Sequence, residues 1–171
     1  DAGEVLTRLV GNPAVNRTEA GWSFLNELAR MTGTQTYSAL DKVLPEIERS
    51  GLETPDQLTL ARQIGEGLFA TGRTFVSNVG THRSRSFAER ALHLALDNNP
   101  SPLRADAIRF LGVSGCSMEE VGDWLLALLV PAETEEVQLA VVDALAHLPN
   151  PQITSAFIQR WPRLTAPVQR A

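Results

Sequence analysis

The sequence predicts an all-α protein: about ten helices, paired antiparallel and stacked as an α-solenoid. Three observations predict it. Helix-start and helix-stop signals recur along the chain while strand patterns are nearly absent. A two-helix unit recurs every 31 to 34 residues. One helix, TEEVQLAVVDALAHL at 134–148, is apolar almost all the way round, as a helix packed between neighbours must be.

Taken in order, the expected helices span 4–10, 19–32, 36–50, 55–71, 87–98, 102–113, 118–130, 135–148, 151–161 and 166–171. Three capping boxes read directly, each pairing a hydroxyl with an acid or amide three residues on: Thr54 with Gln57, Ser86 with Glu89, Ser117 with Glu120. Proline at a first helical position, where its missing N–H costs nothing, stands at Pro55, Pro102 and Pro151. Gly33, Gly51 and Gly72 follow apolar-periodic runs and suit the left-handed residue that closes a helix. Pro45 is expected to kink or split the third helix. The longest stretch read as structureless, RTFVSNVGTHRSRS at 73–86, is the expected internal boundary.

The repeat is clearest in the second half. PLRADAIRFLG (102–112) aligns with EVQLAVVDALA (136–146) and with PVQRA (167–171). Leu103, Val137 and Val168 coincide, as do Arg104, Gln138 and Gln169; Ala107 falls on Val141, Ile108 on Val142 and Leu111 on Leu145. The preceding helices align too, ALHLAL (91–96) with LLALLV (125–130), and DWLLALL (123–129) with AFIQRWP (156–162). Two helices per unit of this length are the sign of an α-solenoid. Glu136, Asp143 and His147, spaced i, i+7, i+11, form the thin solvent stripe of its inner helix. The expected organisation is an N-terminal helical portion of irregular or divergent repeats at 1–86 and clear repeats at 87–171, in one continuous superhelical domain.

Bulk properties narrow the partners. At 171 residues, 43% hydrophobic and 20% charged, the chain is long enough to bury a sizeable core. A formal net charge of −5 counts against a general affinity for nucleic acid, which needs dense Lys and Arg to displace phosphate counterions. The longest apolar run, WLLALLVPA at 124–132, is far short of the roughly 20 residues a membrane helix needs, so no membrane insertion is expected. Cys116 is the single cysteine, which excludes a disulfide or a cysteine zinc site within these residues. The opening DAGEVLTRLV reads as if already inside a helix, and the sequence is expected to be a piece of a longer protein.

From Glu136 onward the pattern becomes specific: Glu136 to Ala146, then Pro151, Trp161, Leu164, Thr165, Pro167 and Val168, in order. This resembles the HEAT-like repeat segment of large planctomycete-type secreted proteins labelled membrane-bound or L-sorbosone dehydrogenases. The match covers roughly 87–171. In that family the segment follows a sugar-dehydrogenase-like β-propeller and precedes a cytochrome c domain with a Cys-x-x-Cys-His haem motif. Here Cys116 stands in GCSM, without a second Cys or an adjacent His, so no catalytic or haem-ligating residue carries over. The resemblance implies a non-catalytic scaffold or linker, flanking domains of the parent chain as partners, no cofactor in this segment, and export to the periplasm or cell envelope.

Sites of chemistry are weaker. GEGLFA (65–70) fits the dinucleotide fingerprint G-x-G-x-x-A, but TPDQLTLARQI runs into it as a helix, and the glycines are expected to serve close packing. His82, Arg83 and Arg85, with Arg90 nearby, are a candidate anion site at the N-terminus of the helix expected from Phe87; the other reading is a solvated loop capped by Ser86. The acid groups Glu119/Glu120 and Glu133/Glu135/Glu136 sit at helix starts, where negative charge complements the helix dipole. His93, flanked by Glu89 and Asp97, reads as a charge-paired surface histidine, and no metal site is expected. Trp22, Trp124 and Trp161 read as large hydrophobes joining repeats, with Trp161 a second candidate for reaching a partner. Cys116, with no cation or base beside it, reads as a passive small residue.

The leading expectation is the scaffold. The alternative is a free-standing solenoid whose concave face takes a protein or peptide, with Arg104, Arg109, Asp143 and His147 as the exposed candidates. A third reading has Arg83 and Arg85 completing a dehydrogenase site.

Overall fold

The computed structural model describes residues 1–35, 37–75, 81–96, 102–148 and 151–170. Every regular element among them is helical, and no strand is present among the described residues. The chain divides into two compact units, Asp1–Phe87 and Ala88–Ala171.

The first unit begins with α1 (Ala2–Leu9), whose first turn is capped by the Asp1 carboxylate accepting from the Glu4 N–H at 3.1 Å. A short helix follows, α2 (Pro13–Asn16), with Pro13 opening it and Asn12 Oδ1 accepting from the Ala14 N–H at 3.0 Å. The alignment of apolar residues had not marked this element, since four residues are too few to carry a period. Thr18 caps α3 (Glu19–Thr34), which is followed by α4 (Tyr37–Arg49) and α5 (Thr54–Ala70). The core gathers Leu6 and Val10 with Leu25, Leu28 and Ala29, the α4 face Leu40, Val43, Leu44 and Ile47, and the α5 face Leu58, Leu60, Ala61, Ile64 and Leu68.

Helices α3 and α5 touch backbone to backbone. A Cβ on Gly33 would lie 2.1 Å from the Ile64 carbonyl oxygen, and one on Gly67 would lie 2.1 Å from the Arg30 carbonyl oxygen. Gly33 therefore does not close α3, as its place after an apolar run predicts. It sits inside the helix because only a residue without a side chain allows this approach. The end of α3 is instead held by Arg73, whose guanidinium donates to the Gly33 and Gln35 carbonyls at 2.8 and 2.7 Å. Gly51 and Gly72, at φ +74° and +71°, do hold the left-handed conformation expected of them.

Two further expectations are corrected, and a third in one of its two forms. Thr54 and Gln57 form no capping box: the N-cap is Glu53, and Gln57 turns back to donate to the Leu52 carbonyl at 2.8 Å. Pro45 does not split α4, which runs on through it. Ser86 and Glu89 open no helix, because the one they were to open already begins at Thr81. That helix, α6 (Thr81–Leu96), takes in the last part of the stretch read as a loop, and residues 76–80 lie outside the described residues. In the first unit Phe75 and Phe87, both fully buried, meet edge to face at 6.1 Å.

The second unit continues through the end of α6 to α7 (Pro102–Val113), a π-helical turn at Met118–Gly122, α8 (Asp123–Ala127), α9 (Glu135–Ala146), α10 (Pro151–Arg160), a 3-10 turn at Trp161–Arg163 and α11 (Ala166–Arg170). The Ser117/Glu120 capping box forms, but it opens the π turn rather than an α-helix reaching 130. Helices α7 and α9 pack side by side and parallel: Arg104 bonds Glu133 near their starts, Arg109 bonds Asp143, and at their ends a Cβ on Gly112 would lie 2.5 Å from Ala144 Cα. Between them Ala107, Ile108, Phe110, Leu111, Val137, Ala140, Val141 and Leu145 are buried.

Candidate functional site

The aligned positions Arg104, Gln138 and Gln169 do the same work three times. Each reaches back to a carbonyl at or near the end of the preceding helix. Arg104 Nε donates to the Ala95 carbonyl at 2.9 Å, Gln138 Nε2 to the Val130 carbonyl at 3.0 Å, and Gln169 Nε2 to the Trp161 carbonyl at 2.6 Å. Carbonyls at helix ends lack intrahelical partners. The Val130 and Trp161 carbonyls also take a backbone N–H, from Glu133 and Leu164, each at 3.1 Å, so there the side chain adds a second bond.

Two of the three also reach forward. Arg104 donates from both terminal nitrogens to the Glu133 carboxylate at 2.7 and 3.0 Å, a bidentate pair whose side chains are 6% and 20% exposed. Gln138 Oε1 accepts from the Thr165 N–H at 3.4 Å and lies 3.5 Å from its hydroxyl. Its amide also donates to the Glu133 carbonyl at 3.0 Å. Each residue thus ties the helix before its own to the turn that starts the next one.

This corrects the expected partner surface. Arg104 is buried rather than exposed, because its guanidinium is fully engaged within the unit. Glu133, read as one of several helix-start acids, is its counter-charge. The link spans 29 residues, and no local pattern announces it. The other candidates fare differently. Arg109 and Asp143 pair across α7 and α9 at 3.2 Å with side chains 27% and 57% exposed, and His147 Nδ1 lies 2.7 Å from the Asp143 carbonyl oxygen.

The helix start expected at Phe87 for the candidate anion site is not there; the helix begins at Thr81. Phe87 lies inside α6, so its N–H is not a free helix-end donor. Arg85 is exposed, and the side chains of His82 and Arg83 lie outside the described residues. GEGLFA is helical throughout, and Gly67 serves the contact with α3. His93 and Glu89 are exposed, while Asp97 lies outside the described residues. Among the described residues no three His, Cys, Asp or Glu side chains gather as a metal site would require. Half-buried Cys116 has its thiol pushed above the ordinary range by burial, with a hydrogen bond to Ser114 lowering it and the Glu120 charge raising it.

An open apolar groove of about 320 Å³ lies between α9 and α10, lined by Val142, Leu145, Ala146, Leu148, Ile153, Thr154 and Phe157. Beside it Trp161 packs edge to face on Phe157 at 5.4 Å. Ile158 and Trp161 remain 64% and 39% exposed. Trp22 and Trp124 are half-buried.

These features define an all-helical protein whose most regular chemistry is structural. No protein-family model, curated protein or solved structure matches the chain. No described helix is long and apolar enough to cross a membrane.

Proposed function

We propose that this chain is a non-catalytic scaffold whose second unit is a HEAT-like stack of helix pairs, serving as a connector in a larger exported protein of the sugar (L-sorbosone-type) dehydrogenase kind that carries a haem c domain. The observation that supports it is the recurring polar position Arg104, Gln138 and Gln169. The same position forms the same backward bond in three successive sequence copies. Such a link joins neighbours only, which is how stacked repeats are held.

The arrangement is tested by inserting a second copy of residues 104–137 after Val137. A stack of nearest-neighbour units accepts the insertion: the protein stays soluble and cooperative, and its helical circular dichroism grows in proportion. A closed globule would be disrupted, and aggregation or loss of cooperativity would sink the stacked arrangement. The connector role is tested on the parent gene. Strand-rich repeats upstream and a Cys-x-x-Cys-His motif downstream support it, and their absence from the full reading frame counts against it.

A second reading, a surface that binds a protein or peptide, draws support from the exposed Asp143 and the adjoining His147 beside Arg109. Alanine at Arg109, Asp143 and His147 should then leave the fold intact and abolish binding of the partner.

A further inference from the structure

Helix α11 starts beside α9 in the way that α9 starts beside α7. Thr134, just after Glu133, caps α9, and the residue in the corresponding place before α11, Thr165, meets Gln138 as Glu133 meets Arg104. The sequences agree in the same register, VQLA at 137–140 and VQRA at 168–171. The parallel contact of α7 with α9, however, runs on to Gly112 and Ala144, at the far ends of both helices. Along α9 the residues equivalent to Ile108, Leu111 and Gly112 are Val142, Leu145 and Ala146. In α7 all three positions are buried; in α9 Leu145 is buried too, but Val142 is half-buried and Ala146 exposed, and all three line the open groove.

The first helices of the two copies repeat the contrast independently. Leu125 and Leu128 of the earlier copy are 0% and 9% exposed, whereas Ile158 and Trp161, 33 residues further on, are 64% and 39% exposed. Thr154, Phe157, Ile158 and Trp161 fall at i, i+3, i+4 and i+7, so they share one face of α10 and its 3-10 extension. An apolar face that is covered in one copy is thus open in the next.

We propose that this groove is the seat of a prolonged α11. Its occupant is a helix continuing past Ala171 by about seven residues, parallel to α9, with a small residue opposite Ala146 and apolar residues over Phe157 and Ile158. Seven more residues bring α11 to the length of α9, about 10 Å further along the same axis at 1.5 Å per residue. The proposal rests on the stacked arrangement put forward above.

The test appends residues 141–148, VVDALAHL, after Ala171, which is their register under this alignment. The control appends eight residues of equal helix propensity with every apolar side chain replaced by Gln. The apolar extension should raise the thermal midpoint by about 5 °C over the control and reduce acrylamide quenching of the most accessible tryptophan. Equal midpoints and equal quenching for the two extensions overturn the proposal. So does sedimentation showing that the unextended chain covers the groove by pairing with a second copy. If inserting residues 104–137 succeeds while the extension does nothing, the stacked arrangement stands and only this seat falls.

Discussion

The guanidinium of Arg104 donates to both carboxylate oxygens of Glu133, at 2.7 and 3.0 Å, across 29 residues of chain. The same side chain bonds the Ala95 carbonyl, so one residue joins three segments of the second unit. A bidentate pair this deeply buried is costly to break from one side, because the surviving charge stays in the interior without its partner.

Arg104→Ala should therefore destabilise the chain by about 3 kcal/mol, at the lower end for buried pairs because Glu133 retains some water. Glu133→Ala should cost a similar amount, and the double substitution should cost clearly less than the sum. Urea titration followed by circular dichroism reads all three. Additive losses would mean that the pair contributes no coupling energy.

In the first unit the Gly33–Gly67 contact makes an opposite demand, for nothing at all on the backbone. Gly67→Ala gains about 1 kcal/mol of helix propensity, yet its methyl meets the Arg30 carbonyl oxygen, which cannot swing aside as a side chain can. We expect a net loss of about 2 kcal/mol from overpacking. A rise in thermal midpoint for this variant would show that α3 and α5 can separate freely.

What the sequence made legible follows from how far each signal reaches. The helix at 102–113 is bounded by local features, Pro102 at its start and a clear apolar period, and its expected ends match those observed. Capping boxes were less dependable. Ser117/Glu120 formed, whereas Thr54/Gln57 and Ser86/Glu89 did not, because a cap acts only where a helix starts and both helices start earlier in the chain. The candidate surface around Arg104 failed for a different reason. An arginine among apolar residues reads as exposed until its counter-charge is known, and Glu133 lies a whole unit away. Gly33 likewise reads as a helix end, since nothing near it in sequence announces Gly67.

The Cys116 thiol offers a pH-dependent test. Burial favours the neutral form, so the folded chain holds this proton to higher pH than the unfolded chain. The associated stability is fully present below the unfolded thiol's pKa and is lost as pH rises through the folded one. Alkylation by iodoacetamide should show its rise at higher pH in the native protein than in 8 M urea. A native profile at or below the unfolded one would mean that the thiol is activated, contrary to its surroundings.

The three equivalent polar positions also make a graded prediction. Gln138 is fully buried and its amide serves the Val130 and Glu133 carbonyls, so Gln138→Leu takes a donor from both while nearly conserving volume, and the Val130 carbonyl keeps only the Glu133 N–H. The cost should be about 2 kcal/mol, the usual penalty for unpaired buried polar groups. Its loss also frees Thr165, which should speed amide exchange across Ala166–Arg170 more than across α7. Gln169 makes its bond to the Trp161 carbonyl in the open, and water can replace it there. Gln169→Leu should thus cost no more than about 0.5 kcal/mol in this chain. With an apolar extension folded over α9 the same substitution should become more damaging, because its carbonyl partner would then be shielded from water. An unchanged cost in the extended chain would separate Gln169 from the series that Arg104 and Gln138 begin.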